Sequence, residues 1–375
     1  MNSNVFDVVI VGAGIVGAAC AAECAAGGMR VAIVEQQIVA GGATAAGMGH
    51  IVVMDDSPAQ FALTRYSQQL WRALVRELPR EVEYESCGTI WVAADEEEMA
   101  AVAAKQAYYR ARGVPVEVLD SVQLAEAEPQ LRRPLAGGLL VLEDAVLYPP
   151  AAAAWLIEQA CSHGAILQSG RAVVQMSGHG VKLSDNSCLE AGVTVNATGA
   201  WAPGLTPGLQ VRKRKGHLVI TDRYPGFLRH QLVELGYLKS AHSVTADSVA
   251  FNVQPRVTGQ ILIGSSRQYG DEETAVDHYM VRAMIERATQ FMPALGKLSA
   301  IRCWTGFRAA TPDKLPLIGP SAEPGIYLAT GHEGLGITTS LATGRLIADQ
   351  LLDRKPAIPV EPYLPSRVEL ELAHA

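Results

Sequence analysis

The sequence has few of the features that would tie a protein to a metal, a nucleic acid or a membrane. Its six cysteines (Cys20, Cys24, Cys87, Cys161, Cys188 and Cys303) are scattered over 375 residues with no Cys-x-x-Cys pair. That spacing argues against a zinc site or an iron–sulfur cluster held by this chain, and it fits a reduced, cytoplasmic setting. Positive charge is also short: 31 basic residues face 38 acidic ones, a formal net charge of −7, which excludes nucleic acid and anionic membrane as natural partners. The one local basic run, Arg212-Lys213-Arg214-Lys215, is expected to be a solvated face. Long apolar runs are absent. The most apolar stretch, Val8 to Ala22, is too short to span a bilayer, is broken by glycines, has no basic leader and runs into Glu23. Repeats, low-complexity tracts and linkers are missing too, so independent domains on a tether are not expected. What remains, 49% hydrophobic and 18% charged, is the composition of a compact chain long enough for two domains.

The residues that are present speak most clearly near the start. Residues 8–35 read VVIVGAGIVGAACAAECAAGGMRVAIVE: an apolar strand, a glycine turn, a small-residue helix and a second strand ending in Glu35. Gly12 permits the tight turn, Gly14 lets backbone approach a pyrophosphate, and Gly17 lets helix and strand pack closely. The helix start offers N–H groups to phosphates, and Glu35 can accept hydrogen bonds from a ribose. This predicts dinucleotide binding while leaving NAD and FAD both open.

Next comes AGGATAAGMGHIVV (Ala40 to Val53), glycine-rich and nearly uncharged, a loop suited to lie against a flat or phosphorylated ligand. Ser57-Pro58 reads as the N-cap and first residue of a helix whose stripe is Leu63, Leu70, Trp71, Leu74, Val75 and Leu78. A strand is expected over 84–94, helices over 95–113 and 150–164, a strand pair over 165–183, and a β-branched strand ending in Asn196-Ala197-Thr198-Gly199. From His217 to Ile263 the pattern alternates as in antiparallel strands, and 270–295 is helical in pattern. The C-terminal third returns to the first theme: Ile326 to Leu352 is a strand, a glycine-rich turn and a helix. A flavin needs such a second helix start, because its reduced ring carries negative charge near N1 and the C2 carbonyl. The fold class predicted is α/β, a Rossmann-like FAD-binding domain with an inserted antiparallel-sheet (α+β) domain.

Five segments occur in an order that resembles the D-amino-acid-oxidase-like FAD oxidoreductases, the glycine oxidase/sarcosine oxidase group: VVIVGAGIVG…VAIVE, GGATAAGMGH, DAVLYPP, VTVNATGAW, and GFRAATPDKLPLIG with GHEGLGI. The resemblance covers essentially the whole chain. It implies FAD extended across residues 1–80, 143–215 and 300–375, a substrate domain of 81–142 and 216–299, and hydride transfer from a substrate Cα–H to flavin N5. Gly12, Gly14, Ile15, Val16 and Gly17 would lie at the pyrophosphate, Glu35 and Gln36 at the adenosine ribose, and Val173 at the adenine. Thr44, Ala46, Gly47 and Met48 would run along the phosphates and ring, and Ala197, Thr198 and Gly199 near the cofactor's middle. Gly334, Leu335, Gly336 and Ile337 would give N–H groups to the flavin's pyrimidine edge.

On the same resemblance Arg308 would pair with a substrate carboxylate, with an ion pair to Asp313 as the alternative. His50, His332 and Glu333 would face the ring, unless the histidines are satisfied structural residues. No metal is implied. GMGHIVVMDDSPAQFALTRYSQQLW with FNVQPR and GSSRQ looks most like β-subunits of multi-subunit bacterial dehydrogenases acting on D-hydroxyproline, opines or glycine. In those, partner subunits carry an iron–sulfur centre and sometimes a second flavin, FMN, and Arg212 to Lys215 would then hold an anionic cofactor at an interface. The expected activity is oxidation of the C–N bond of a small amino or imino acid, cis-4-hydroxy-D-proline first. The alternatives are an oxygen-using glycine, sarcosine or D-amino-acid oxidase, an opine dehydrogenase subunit, or a non-catalytic FAD-binding assembly subunit.

Overall fold

The computed structural model describes residues 5–236 and 247–368. Part of the alternating stretch, 237–246, and the chain ends at 1–4 and 369–375 lie outside the described residues. Two eight-stranded sheets form the frame. In the first, Val5–Val11 pairs in parallel with Val31–Glu35 on one side and Cys188–Asn196 on the other. Ile166–Ser169 and Ile326–Thr330 extend it in parallel, and Leu317–Pro320 closes one edge antiparallel. Val8, Val9 and Ile10 are fully buried, as a strand covered on both faces requires.

Helix Ile15–Ala26 lies on this sheet under Pro149–Ser162 and Gly336–Leu351. Its Ala18, Ala19, Cys20, Ala21 and Cys24 are all buried, because only small side chains admit two helices at such close range. The two cysteines are therefore packing residues, and burial raises the Cys24 thiol to about 12. Helix Pro58–Leu74 is capped by Ser57, whose Oγ accepts from Gln60 N at 3.1 Å. Its stripe is core at Leu63 and Trp71, but Val75 lies past the helix end and is exposed. No helix among the described residues is long and apolar enough to cross a membrane.

The second sheet runs in the order Ala300–Ala310, Arg212–Thr221, Ile261–Arg267, Ser248–Pro255, Gln231–Glu234, Thr89–Ala93, Gly137–Val141, Val116–Asp120. All neighbours are antiparallel except Gln231–Glu234 with Thr89–Ala93, which is parallel. Helices Glu96–Arg110 and His278–Phe291 cover it. The expected helix over 270–295 is confined to the latter. Arg212–Thr221 and Ala300–Ala310 pair end to end, from Arg212↔Ala310 to Thr221↔Ala300, so both strands run within the second sheet.

The turn DAVLYPP ties the halves together. Asp144 is fully buried, and its Oδ1 accepts from Val53 N at 3.2 Å and from Gln68 Nε2 at 2.8 Å, joining the 50–54 segment to helix Pro58–Leu74. Burial pushes its carboxyl from the ordinary 3.8 up to about 7. An acid raised in this way stabilises the fold while protonated, and the contribution is lost as pH rises from about 4 through 7. Asp144→Asn keeps the acceptor and removes the charge. We expect the variant to melt about 2–4 °C above the parent at pH 8, with the difference shrinking toward pH 4. A pH-independent difference in thermal melts would contradict this.

Candidate active site

The first glycine turn is shaped by contacts that no other residue permits. Gly12 has φ +104°, and a Cβ there would lie 2.7 Å from the Ala197 carbonyl oxygen. A Cβ on Gly17 would lie 1.9 Å from the Gly12 carbonyl oxygen. Gly17 thus lets the helix pack closely beneath the turn, as its spacing predicted. Glu35 braces the turn from the next strand: Oε2 accepts from Ala13 N and Oε1 from Gln37 N, both at 2.9 Å. Thr44 Oγ1 accepts from Ile15 N at 3.0 Å, which brings the 40–53 loop onto the helix start.

One continuous cavity of about 960 Å³ extends from this turn to the second sheet. Gly12, Gly14, Ile15, Val16, Glu35, Gln36 and Val173 line one end. Thr44, Ala46, Gly47, Met48, Ala197, Thr198 and Gly199 line the middle, and His50, Arg308 and residues 332–337 the far part. Helices Pro58–Leu74, Glu96–Arg110 and Ser121–Ala127 are capped by Ser57, Asp95 and Asp120. By contrast the helices starting at Ile15 and Gly336 have no cap from their own N-cap side chain, and both open on the cavity. Of the four expected donors at the second turn, Leu335 is already engaged, its N–H donating to His332 O at 2.9 Å. A long cleft with a glycine turn at one end and a bare helix start at the other fits an extended dinucleotide.

At the far part three chain segments converge. His50 Nε2 lies 3.3 Å from Gly334 O; a carbonyl only accepts, so Nε2 carries the proton. Its Nδ1 is buried without a partner among the described residues. Burial, with the Arg308 charge acting the same way, lowers His50 to about 4. Arg308 Nη1 donates to Ser266 O at 3.0 Å, and its guanidinium lies across Gly216, where a Cβ would be 2.4 Å from Nη1. Asp313, the alternative partner, is engaged by Arg367 at 2.7 Å.

His332 and Glu333 line the cavity but are committed elsewhere. Thr343 donates its hydroxyl to Thr339 O, so His332 Nε2–H donates to Thr343 Oγ1 at 3.0 Å, and burial lowers this ring to about 3. Glu333 Oε2 accepts from Arg214 Nη1 at 2.8 Å, both side chains buried. The basic run is therefore no solvated face. Lys215 is buried against Asp271 at 2.6 Å and Asp277 at 3.4 Å, Lys213 pairs with Glu272 at 2.6 Å, and Arg212 is exposed.

Sequence reasoning missed the walls contributed by the second sheet: Trp91, Gln231, Asn252, Ser265 and Arg267. FNVQPR and GSSRQ were marks of resemblance, and only the strand register shows that their side chains reach the cavity.

A parallel sheet, glycine-rich helix starts opening on the cleft and an antiparallel sheet closing it define a flavin-type dinucleotide oxidoreductase. The chain belongs to the DAO family, FAD dependent oxidoreductase, which matches residues 7–350. FAD is the cofactor of this family of amino-acid oxidases and dehydrogenases. The chain is 30% identical to glycine oxidase of Geobacillus kaustophilus, covering 96% of both proteins. It is 28% identical to hydrogen cyanide synthase subunit HcnC of Pseudomonas aeruginosa, covering 99% of this chain and 98% of that one. The crystal structure of the G. kaustophilus glycine oxidase superposes with a TM-score of 0.88, covering 97% of this chain and 99% of that one.

Since Glu35 holds the glycine turn through Ala13 N, Glu35→Ala is expected to weaken FAD retention roughly tenfold. Flavin content after dialysis checks it, and unaltered content would contradict the role.

Proposed function

We propose that this protein is a cytoplasmic FAD-dependent dehydrogenase that oxidises the C–N bond of a small amino or imino acid, with cis-4-hydroxy-D-proline as its substrate. The observation that carries the reading is Arg308, laid across Gly216 and tied to Ser266 O beside neutral His50. A planar guanidinium holds a carboxylate by two parallel hydrogen bonds and so fixes the Cα–H of the bound acid in one direction. When bound, FAD supplies the ring that accepts the hydride.

The chain's own residues then position and exclude. His50 and His332 are neutral near pH 7, and Glu333 is held by Arg214, so each imidazole or carboxylate that sequence reasoning placed here is withdrawn from proton uptake. No separate catalytic base is then required if the substrate amine binds neutral, its proton having gone to water beforehand. Loss of the Cα hydride from the neutral amine leaves an iminium ion, which gives its N–H proton to water to become the imine. With a ring substrate this imine is cyclic, and water can open it only to a single amino keto acid. Sharing extended likeness with a protein named as a synthase subunit supports work within an assembly, whose partner subunits would carry an iron–sulfur centre and a second flavin, FMN. The dispersed cysteines agree, because a cluster would sit on another chain.

Likeness to glycine oxidase favours a second reading, an oxidase passing electrons to oxygen. Rapid peroxide release by the isolated chain would select it. For both readings Arg308→Ala should raise KM roughly 100-fold while FAD stays bound, with Arg308→Lys between the two. Steady-state kinetics with unchanged KM would remove the carboxylate role.

A further inference from the structure

Beyond Arg308 the cavity continues over one face of the second sheet. Residues facing each other across adjacent strands point to the same side. The pairings Trp91↔Val233 and Val233↔Asn252 therefore set Trp91 and Asn252 on either side of Val233, and Gln231 one step along the same face. Ser265 follows on the next strand, and Gln60 approaches from helix Pro58–Leu74. All of these line the cavity, and Gln60, Trp91, Gln231, Asn252 and Ser265 are each more than nine-tenths buried.

Each of those five also carries a buried polar atom with no partner among the described residues: Gln60 Oε1, Trp91 Nε1, Gln231 Oε1, Asn252 Oδ1 and Ser265 Oγ. Among the described residues, more than half of all such atoms belong to side chains lining this one cavity. A polar atom buried without a partner is costly, and the cost falls away when a ligand supplies the missing bond. A chamber for an unsubstituted aliphatic acid would be walled by apolar side chains on this face. Here amide oxygens and an indole N–H stand around Val233.

We propose that this chamber selects a substrate bearing a hydroxyl group on a carbon beyond Cα, received by Asn252 and Gln231 with Trp91 and Ser265 alongside. The inference rests on the reading that Arg308 holds a substrate carboxylate. The hydroxyl donates to an amide oxygen and accepts from the indole N–H or the serine, so both of its functions are met. A site built to bond a hydroxyl discriminates strongly against the analogue that lacks it, because its own groups are then left unpaired.

The test uses the FAD-loaded full chain and two carboxylates that have no C–N bond to oxidise, cyclopentanecarboxylate and cis-3-hydroxycyclopentanecarboxylate. Binding is read from the perturbed visible spectrum of the bound flavin. The hydroxylated acid should bind roughly tenfold or more tightly, and Asn252→Leu or Gln231→Leu should bring the ratio of affinities close to one. Equal affinities for the parent protein would overturn the proposal and leave the amino-acid reading standing. So would a ratio that survives both substitutions; Ser265→Ala gives a milder variant should either leucine variant fail to retain FAD. If neither acid perturbs the flavin, the carboxylate site itself is wrong and both readings fall.

Discussion

Strand Ala300–Ala310 runs along strand Arg212–Thr221 for its whole length, and that seam sets how the two sheets meet. Near its end Ala309 bridges to Glu333, whose N–H donates to Ala309 O at 3.0 Å, so the seam also fixes the turn before the last helix. Gly306 lets the strand pass the 40–53 loop, since a Cβ there would be 2.4 Å from that of Ala46. Gly216, directly opposite Gly306, leaves the bed on which Arg308 lies. Shifting this pairing by one residue would turn Arg308 to the other face of the sheet. The cofactor cleft and the substrate chamber would then have no common wall.

Charge is arranged around the seam in closed pairs. Arg214 with Glu333 is a largely buried ion pair, and buried Lys215 reaches the half-buried Asp271 and Asp277; the worth of such pairs lies more in fixing geometry than in net stability. They leave the cavity wall with neutral imidazoles and amides around Arg308. Burial of the two imidazoles lowers both His50 and His332 far below neutrality, so neither carries charge near pH 7.

The parts of this architecture that depend on local pattern were legible in the sequence. Gly12 and Gly14, Glu35, the Ser57 cap and the second glycine turn announce themselves by spacing, because backbone geometry dictates residue type there. Gly17 announced itself equally well but as packing. What depends on partners distant in the chain was not legible. Arg212 to Lys215 read as solvated because Glu272, Glu333, Asp271 and Asp277 lie far away in sequence. That strands Arg212–Thr221 and Ala300–Ala310 run side by side was hidden for the same reason, since only strand register shows it. The polar chamber escaped notice because Gln231 and Asn252 are unremarked among alternating strand residues until their common face is known.

The central claim is that the wall around Arg308 holds a small amino or imino acid for hydride removal. The most direct measurement is anaerobic mixing of the FAD-loaded protein with cis-4-hydroxy-D-proline, D-proline, glycine and sarcosine, following the visible flavin absorbance. The account predicts rapid bleaching by at least one of these, slowed when deuterium replaces the Cα hydrogen. A flavin that stays oxidised with every acid in the series would contradict it.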